Sequence, residues 1–85
     1  MRFVRTNNFE RDYKRLPQPI KEAFAKQFLL FLETPSHPSL DIKKMKGHAD
    51  LWRVKLTAGY RFTFQRVGDA IVLRRIGPHD IERNP

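Results

Sequence analysis

Arg53, Lys55 and Arg61 are the residues of this chain best placed to do chemistry together, and parity is what groups them. They lie in the stretch Leu51 to Arg66, LWRVKLTAGYRFTFQR, whose alternation of apolar and polar residues is that of a β-hairpin. Cross-strand partners share a sheet face, so the correct register should match apolar with apolar. A two-residue Ala58-Gly59 loop sets Leu56 against Arg61 and Lys55 against Phe62, mixing the faces. A three-residue loop, Thr57-Ala58-Gly59, pairs Leu56 with Tyr60, Val54 with Phe62 and Trp52 with Phe64. The other face then carries Lys55 opposite Arg61 and Arg53 opposite Thr63. This loop class takes a left-handed residue at its third position, where Gly59 stands. Facing cations cost roughly some tenths of a kcal/mol, the size of an ordinary favourable pair. Local stability does not select them; the grip of an anion would.

The remaining charge runs the same way. Seventeen basic residues oppose nine acidic ones, for a formal net charge of +8. Between residues 43 and 66 the cations are Lys43, Lys44, Lys46, Arg53, Lys55, Arg61 and Arg66, against Asp50 alone. Such a balance suits a polyanionic partner: nucleic acid, an acidic protein segment or an anionic surface. The run Lys43-Lys44-Met45-Lys46 would be no more than a solvated stretch if it stood alone. There is no cysteine, and His37, His48 and His79 lack the spacing of a ligand pair, so neither a metal site nor a cofactor is expected. The start, MRFVRTNNFE, lacks the apolar segment of a secretory signal. The longest apolar run, Phe28 to Leu32, is far short of the ~20 residues that span a bilayer. A soluble cytoplasmic protein without membrane contact is the expectation.

At 85 residues the chain is expected to form one domain, 1–85, near the size where a single core just suffices. Arg2 to Thr6 reads as a first strand with Phe3 or Val4 turned inward. Asn7 and Asn8 are N-cap residues for a helix carrying Phe9, Tyr13 and Leu16, and Pro17 stops it. Pro19 suits the first turn of a second helix. Its stripe of Ile20, Ala23, Phe24, Gln27, Phe28 and Phe31, widened by Leu29, Leu30 and Leu32, belongs to the core. Thr34-Pro35 ends it. Residues 35–50 read as a loop with one short helical turn. After the hairpin, with Trp52 and Tyr60 on its core face, come a Gly68-Asp69 turn and a last strand from Ala70 to Ile76. Gly77-Pro78 breaks that strand. Arg74 and Arg75, adjacent on it, should point to opposite faces, one of them to the basic site. The order β-α-α-β-β-β predicts an α+β fold, an antiparallel meander with both helices on one face. The face of Arg53, Lys55 and Arg61 would stay open to solvent.

This order of elements, with Met45-Lys46-Gly47, Trp52-Arg53-Val54-Lys55-Leu56, Gly59-Tyr60-Arg61 and a last strand closing on Ile76-Gly77, resembles the RelE/ParE superfamily of type II toxin–antitoxin toxins. The resemblance covers nearly the whole chain. It implies a metal-free endoribonuclease that cleaves mRNA on the ribosome, inhibits translation and pairs with a cognate antitoxin in a hetero-oligomer. The alternative within the superfamily is a ParE-like inhibitor of DNA gyrase, with the same fold and no catalytic residues.

Arg53 and Lys55 match the positions where RelE-like nucleases place strand lysines, and Arg61 matches their phosphate-binding arginine. His79, two residues past Gly77, resembles the histidine of the YafQ-like branch. The tyrosine usual near the end of RelE-like chains has no counterpart, Asn84-Pro85 standing there. Cleavage of RNA without metal needs a base for the 2′-OH, an acid for the leaving 5′-oxygen and cations around the phosphate. Histidine is the side chain that ordinarily changes charge near neutrality, which suits His79 to proton transfer. Lys55, beside other cations, is the second candidate. Arg53 is permanently charged, so it and Arg61 would stabilise the phosphorane. Lys43, Lys44, Lys46, His48, Arg74 and Arg75 are candidates for binding RNA, and His48 and Asp50 are secondary candidates for the base or for positioning the substrate.

Overall fold

The hairpin adopts the three-residue-loop register. In a computed structural model that describes residues 2–85, strand β3 (Leu51–Lys55) lies antiparallel to β4 (Tyr60–Val67). Trp52 pairs with Phe64, Arg53 with Thr63, Val54 with Phe62 and Lys55 with Arg61. The Leu56 N–H donates to the Tyr60 carbonyl at 3.0 Å. Gly59, however, does not supply a left-handed residue: among glycines, positive φ occurs at Gly47 (82°) and Gly68 (61°). The turn is closed from its side instead. Arg61 Nη1 donates to the carbonyls of Thr57, Tyr60 and Ala58 at 2.6, 3.0 and 3.3 Å.

Around this hairpin the sheet grows in both directions. Strands β1 (Arg2–Arg5), β2 (Lys43–Lys44) and β5 (Ala70–Pro78) complete an order β1-β5-β4-β3-β2. The meander from β3 to β5 is antiparallel as expected, but β1 joins β5 in parallel, Arg2 opposite Ala70 and Arg5 opposite Leu73. Lys43 and Lys44, expected in a loop, form a short edge strand opposite Arg53 and Trp52. Charged residues suit an edge because they discourage pairing with another chain.

Helices α1 (Asn7–Lys14) and α2 (Gln18–Glu33) cover one face. The cap of α1 is Thr6 rather than Asn7 or Asn8. Its Oγ1 accepts the Phe9 N–H at 3.0 Å and donates to the Arg74 carbonyl at 2.8 Å, so one hydroxyl starts the helix and ties it to β5. Pro19 takes the first turn of α2. Phe9, Phe24, Phe28 and Phe31 meet Phe62 and Phe64 in a chain of edge and stacked aromatic contacts with centroids 5.1 to 6.4 Å apart. Each such pair adds roughly 0.5–1.5 kcal/mol beyond its buried area. Trp52 and Tyr60 pack partly buried against this core. Phe3 also reaches the helices, 5.4 Å from Phe28.

Leu29 and Leu32 do not widen the α2 stripe. They stand 58% and 47% exposed on its outer face, because residues three and four apart from Gln27 and Phe31 fill the inner one. The polar member of the stripe, Gln27, is buried. Its Nε2 donates to the Ser39 carbonyl at 3.3 Å and the Lys55 carbonyl at 3.1 Å. It thus joins α2 to the 3₁₀ turn Pro38–Leu40 and to the end of β3. Among the described residues no helix is long and apolar enough to cross a membrane.

Candidate active site

Register alone assembles a cationic surface on the sheet face away from the helices. One cross-strand row runs Lys43, Arg53, Thr63, Arg75, and the next runs Lys55, Arg61, Gly77. This face is not left open, contrary to expectation. Past Pro78 the chain turns back across it as a second 3₁₀ turn, His79–Arg83. The His79 N–H donates to the Gly59 carbonyl at 2.9 Å, pinning the tail to the hairpin turn. Ile81 is buried over Gly77, where a Cβ would come within 3.1 Å of its Cγ2. The Pro85 carbonyl accepts from Thr63 Oγ1 at 3.1 Å and from Arg74 Nε at 3.3 Å. Thr63, in the middle of the face, is 0% exposed as a result.

Arg74 and Arg75 do not separate to opposite faces. Phe64 pairs with Leu73 while Thr63 pairs with Arg75, which leaves Arg74 as the extra residue of a β-bulge. The bulge breaks the alternation on which the expectation rested, and both guanidinium groups reach the tail: Arg74 at Pro85, Arg75 at the Asn84 carbonyl, 3.1 Å away. Arg74 also donates to Gln65 Oε1 at 2.9 Å. Arg75 is further held by Asp12 of α1, Nε to Oδ2 at 2.6 Å and Nη2 to Oδ1 at 3.2 Å. Those bonds push the Arg75 guanidinium still higher than its ordinary value, and it stays a fixed cation. The Asp12 carboxylate also accepts the Ile76 N–H at 3.2 Å, satisfying the edge of β5 where β1 has ended.

Arg53, Arg61, His79, Asp80, Glu82 and Arg83 line a cleft of about 330 Å³ between the sheet and the tail. Three residues singled out from the sequence, Arg53, Arg61 and His79, therefore meet there. Lys55 lies beside Arg61 in register but is not part of the lining. Lys43 and Lys44 occupy the β2 edge, and Lys46 and His48 are exposed in the loop before β3. That loop adjoins the other end of β3, roughly 15 Å from the turn where His79 is pinned. There, Asp50 Oδ1 accepts from Trp52 Nε1 at 3.0 Å and from Arg66 Nη2 and Nε at 2.9 and 3.1 Å. The Arg66 and Trp52 hydrogen bonds hold the Asp50 carboxyl below its ordinary value. A larger cleft of about 430 Å³ lies on the other flank of the tail, between α1 and Ile81, with Tyr60 and the Asp12–Arg75 pair in its wall.

Glu82 was not foreseen. Its carboxylate stands between the two arginines, Oε1 3.5 Å from Arg53 Nε and Oε2 3.8 Å from Arg61 Nε. Residues three apart eclipse in a 3₁₀ helix, so His79 and Glu82 share one side of the turn. The segment HDIERNP carries this spacing, and the signal becomes readable only once the tail is known to be 3₁₀.

No family model and no curated protein matches the chain in sequence. Solved structures do match in fold. The RelB–RelE antitoxin–toxin complex from Methanococcus jannaschii aligns with a TM-score of 0.75 at 24% identity, over 95% of each chain. YafQ from E. coli gives 0.77 at 9% identity, over 94% of this chain and 96% of that one. A YoeB/ParE toxin from Agrobacterium tumefaciens gives 0.74 at 22% identity, over 93% and 99%. The chain has the fold of the RelE/ParE superfamily of toxins, as its hairpin motifs indicated.

Proposed function

We propose that this chain is the toxin of a type II toxin–antitoxin pair and acts as a metal-free endoribonuclease on mRNA within the ribosome. The observation that carries the reading is the cleft itself, where two arginines from paired strands face a histidine held by the hairpin turn. In this mechanism the 2′-oxygen attacks phosphorus as its proton is removed, the phosphorane charge builds against Arg53 and Arg61, and the 5′-oxygen leaves as it is protonated. His79 is one proton carrier. Lys55, the register partner of Arg61, is the other. The products are a cyclic 2′,3′-phosphate and a 5′-hydroxyl end. An antitoxin that neutralises the chain would cover the cationic face, drawn by the +8 charge.

Purified chain added to ribosomes and a defined mRNA should generate new 5′ ends, and His79→Ala should remove them. The competing reading is gyrase inhibition of the ParE kind, favoured by the exposed position of His79. Gyrase supercoiling blocked by both the wild type and His79→Ala, with the mRNA left intact, would establish that alternative.

A further inference from the structure

We infer that Glu82 is a built-in occupant of the phosphate seat, an internal anion that RNA must displace. The donors of Arg61 are divided between two tasks. Nη1 is committed to three carbonyls of the hairpin turn. The edge left for side-on recognition of a phosphate is Nε with Nη2, and that is where Glu82 stands. Arg61 Nε is buried with no hydrogen-bond partner, although a carboxylate oxygen lies 3.8 Å away. Arg53 Nε faces the other oxygen at 3.5 Å. Both separations exceed the roughly 2.7–2.9 Å of a charge-assisted bond. The carboxylate balances the two cations without closing on either, which leaves the buried Arg61 Nε donor free for an anion that draws closer.

The surroundings let the carboxylate leave without unfolding the tail. Its fastenings at Gly59, Thr63, Arg74 and Arg75 are made by His79, Pro85 and Asn84, none of them by Glu82. Side-chain exposure rises from 14% at Arg61 and 18% at Arg53 to 31% at Glu82, so the carboxylate is on the solvent side of the trio. At rest the seat is filled from within, and an incoming anion competes with Glu82 rather than meeting bare guanidinium. That the anion is an RNA phosphodiester rests on the nuclease reading; the competition itself does not.

The test is a low-salt titration of wild type, E82Q and E82D with inorganic phosphate and with a short all-2′-methoxy RNA, which binds but offers no nucleophile. E82Q should bind both probes roughly fivefold tighter, the upper end for an ion pair that solvent still reaches. E82D, its charge drawn back by one methylene, should fall between. Circular dichroism and melting verify that each variant is folded, and E82D serves if E82Q is not. Equal or weaker binding by folded variants overturns the proposal, even if the wild type cleaves mRNA. Tighter binding without any cleavage by the wild type leaves the seat standing and removes the nuclease.

Discussion

Arg61 Nη1 donates to the Thr57 carbonyl at 2.6 Å, so the arginine assigned to the phosphate also closes the turn that presents it. On the proposed mechanism, function and fold are coupled in one side chain. Arg61→Ala should lower cleavage by about 10²-fold or more, as loss of a transition-state donor does. It should also cost about 1.5–3 kcal/mol of stability, because the turn carbonyls lose a charged donor. Arg61→Lys keeps the charge but not the fork, and should restore neither fully. Chemical denaturation alongside cleavage rates measures both losses.

His79 should behave in the opposite way. Its ring is exposed and its anchor is the backbone N–H, which any residue but proline supplies. His79→Ala should therefore leave the melting temperature within error of wild type while lowering cleavage by about 10²- to 10⁴-fold. A fall in melting temperature that matches the fall in rate would place His79 in the scaffold.

Gln27 is a stability determinant on the helix side of the sheet. Replacing it with leucine strips the Ser39 and Lys55 carbonyls of their donor and should cost about 1–3 kcal/mol. Phosphate binding should be retained, since the cleft lies on the other side of the sheet. Urea unfolding paired with a phosphate titration at low denaturant checks both halves.

Asp50 makes stability depend on acid. Its folded-state pKa lies below the ordinary 3.8, held there by Arg66 first and Trp52 second. Stability from a depressed carboxylate is present above the unfolded value and is lost as pH falls through the folded one. Wild type should thus lose its margin over Asp50→Asn as pH drops below 3.8, and the two should melt together at still lower pH. Asparagine suits this comparison because Asp50 has φ 52°, a conformation that Asn also tolerates. Melting curves across acidic pH would refute the assignment if the margin stayed constant.

The hairpin register was legible from the sequence because its two faces differ in kind, and a one-residue slip either way sets Phe62 against Arg53 or Lys55. The helices were legible in their stripes and prolines. The parallel pairing of β1 with β5 was not, since Arg2 to Arg5 alternates too weakly to name a partner. The bulge at Arg74 was hidden for a related reason: Ile71, Leu73 and Ile76 all turn inward, a spacing that looks like broken alternation until one residue is allowed to stand outside it. The tail was the largest omission. Only Ile81 and Pro85 become buried there, too few to signal a packed segment, and so Glu82 went unnoticed beside His79.

The union of β1 with β5 also bears on how the molecule comes into being. Thr6 bonds across 68 residues to Arg74, and Arg2 waits for Ala70. A chain emerging from a ribosome in order cannot seat its first strand until its last is made, and contacts this distant are slow to form. The tail that completes the cleft is later still. Closure of the sheet thus depends on joining segments far apart in the chain, and completion of the cleft on residues that follow the last strand.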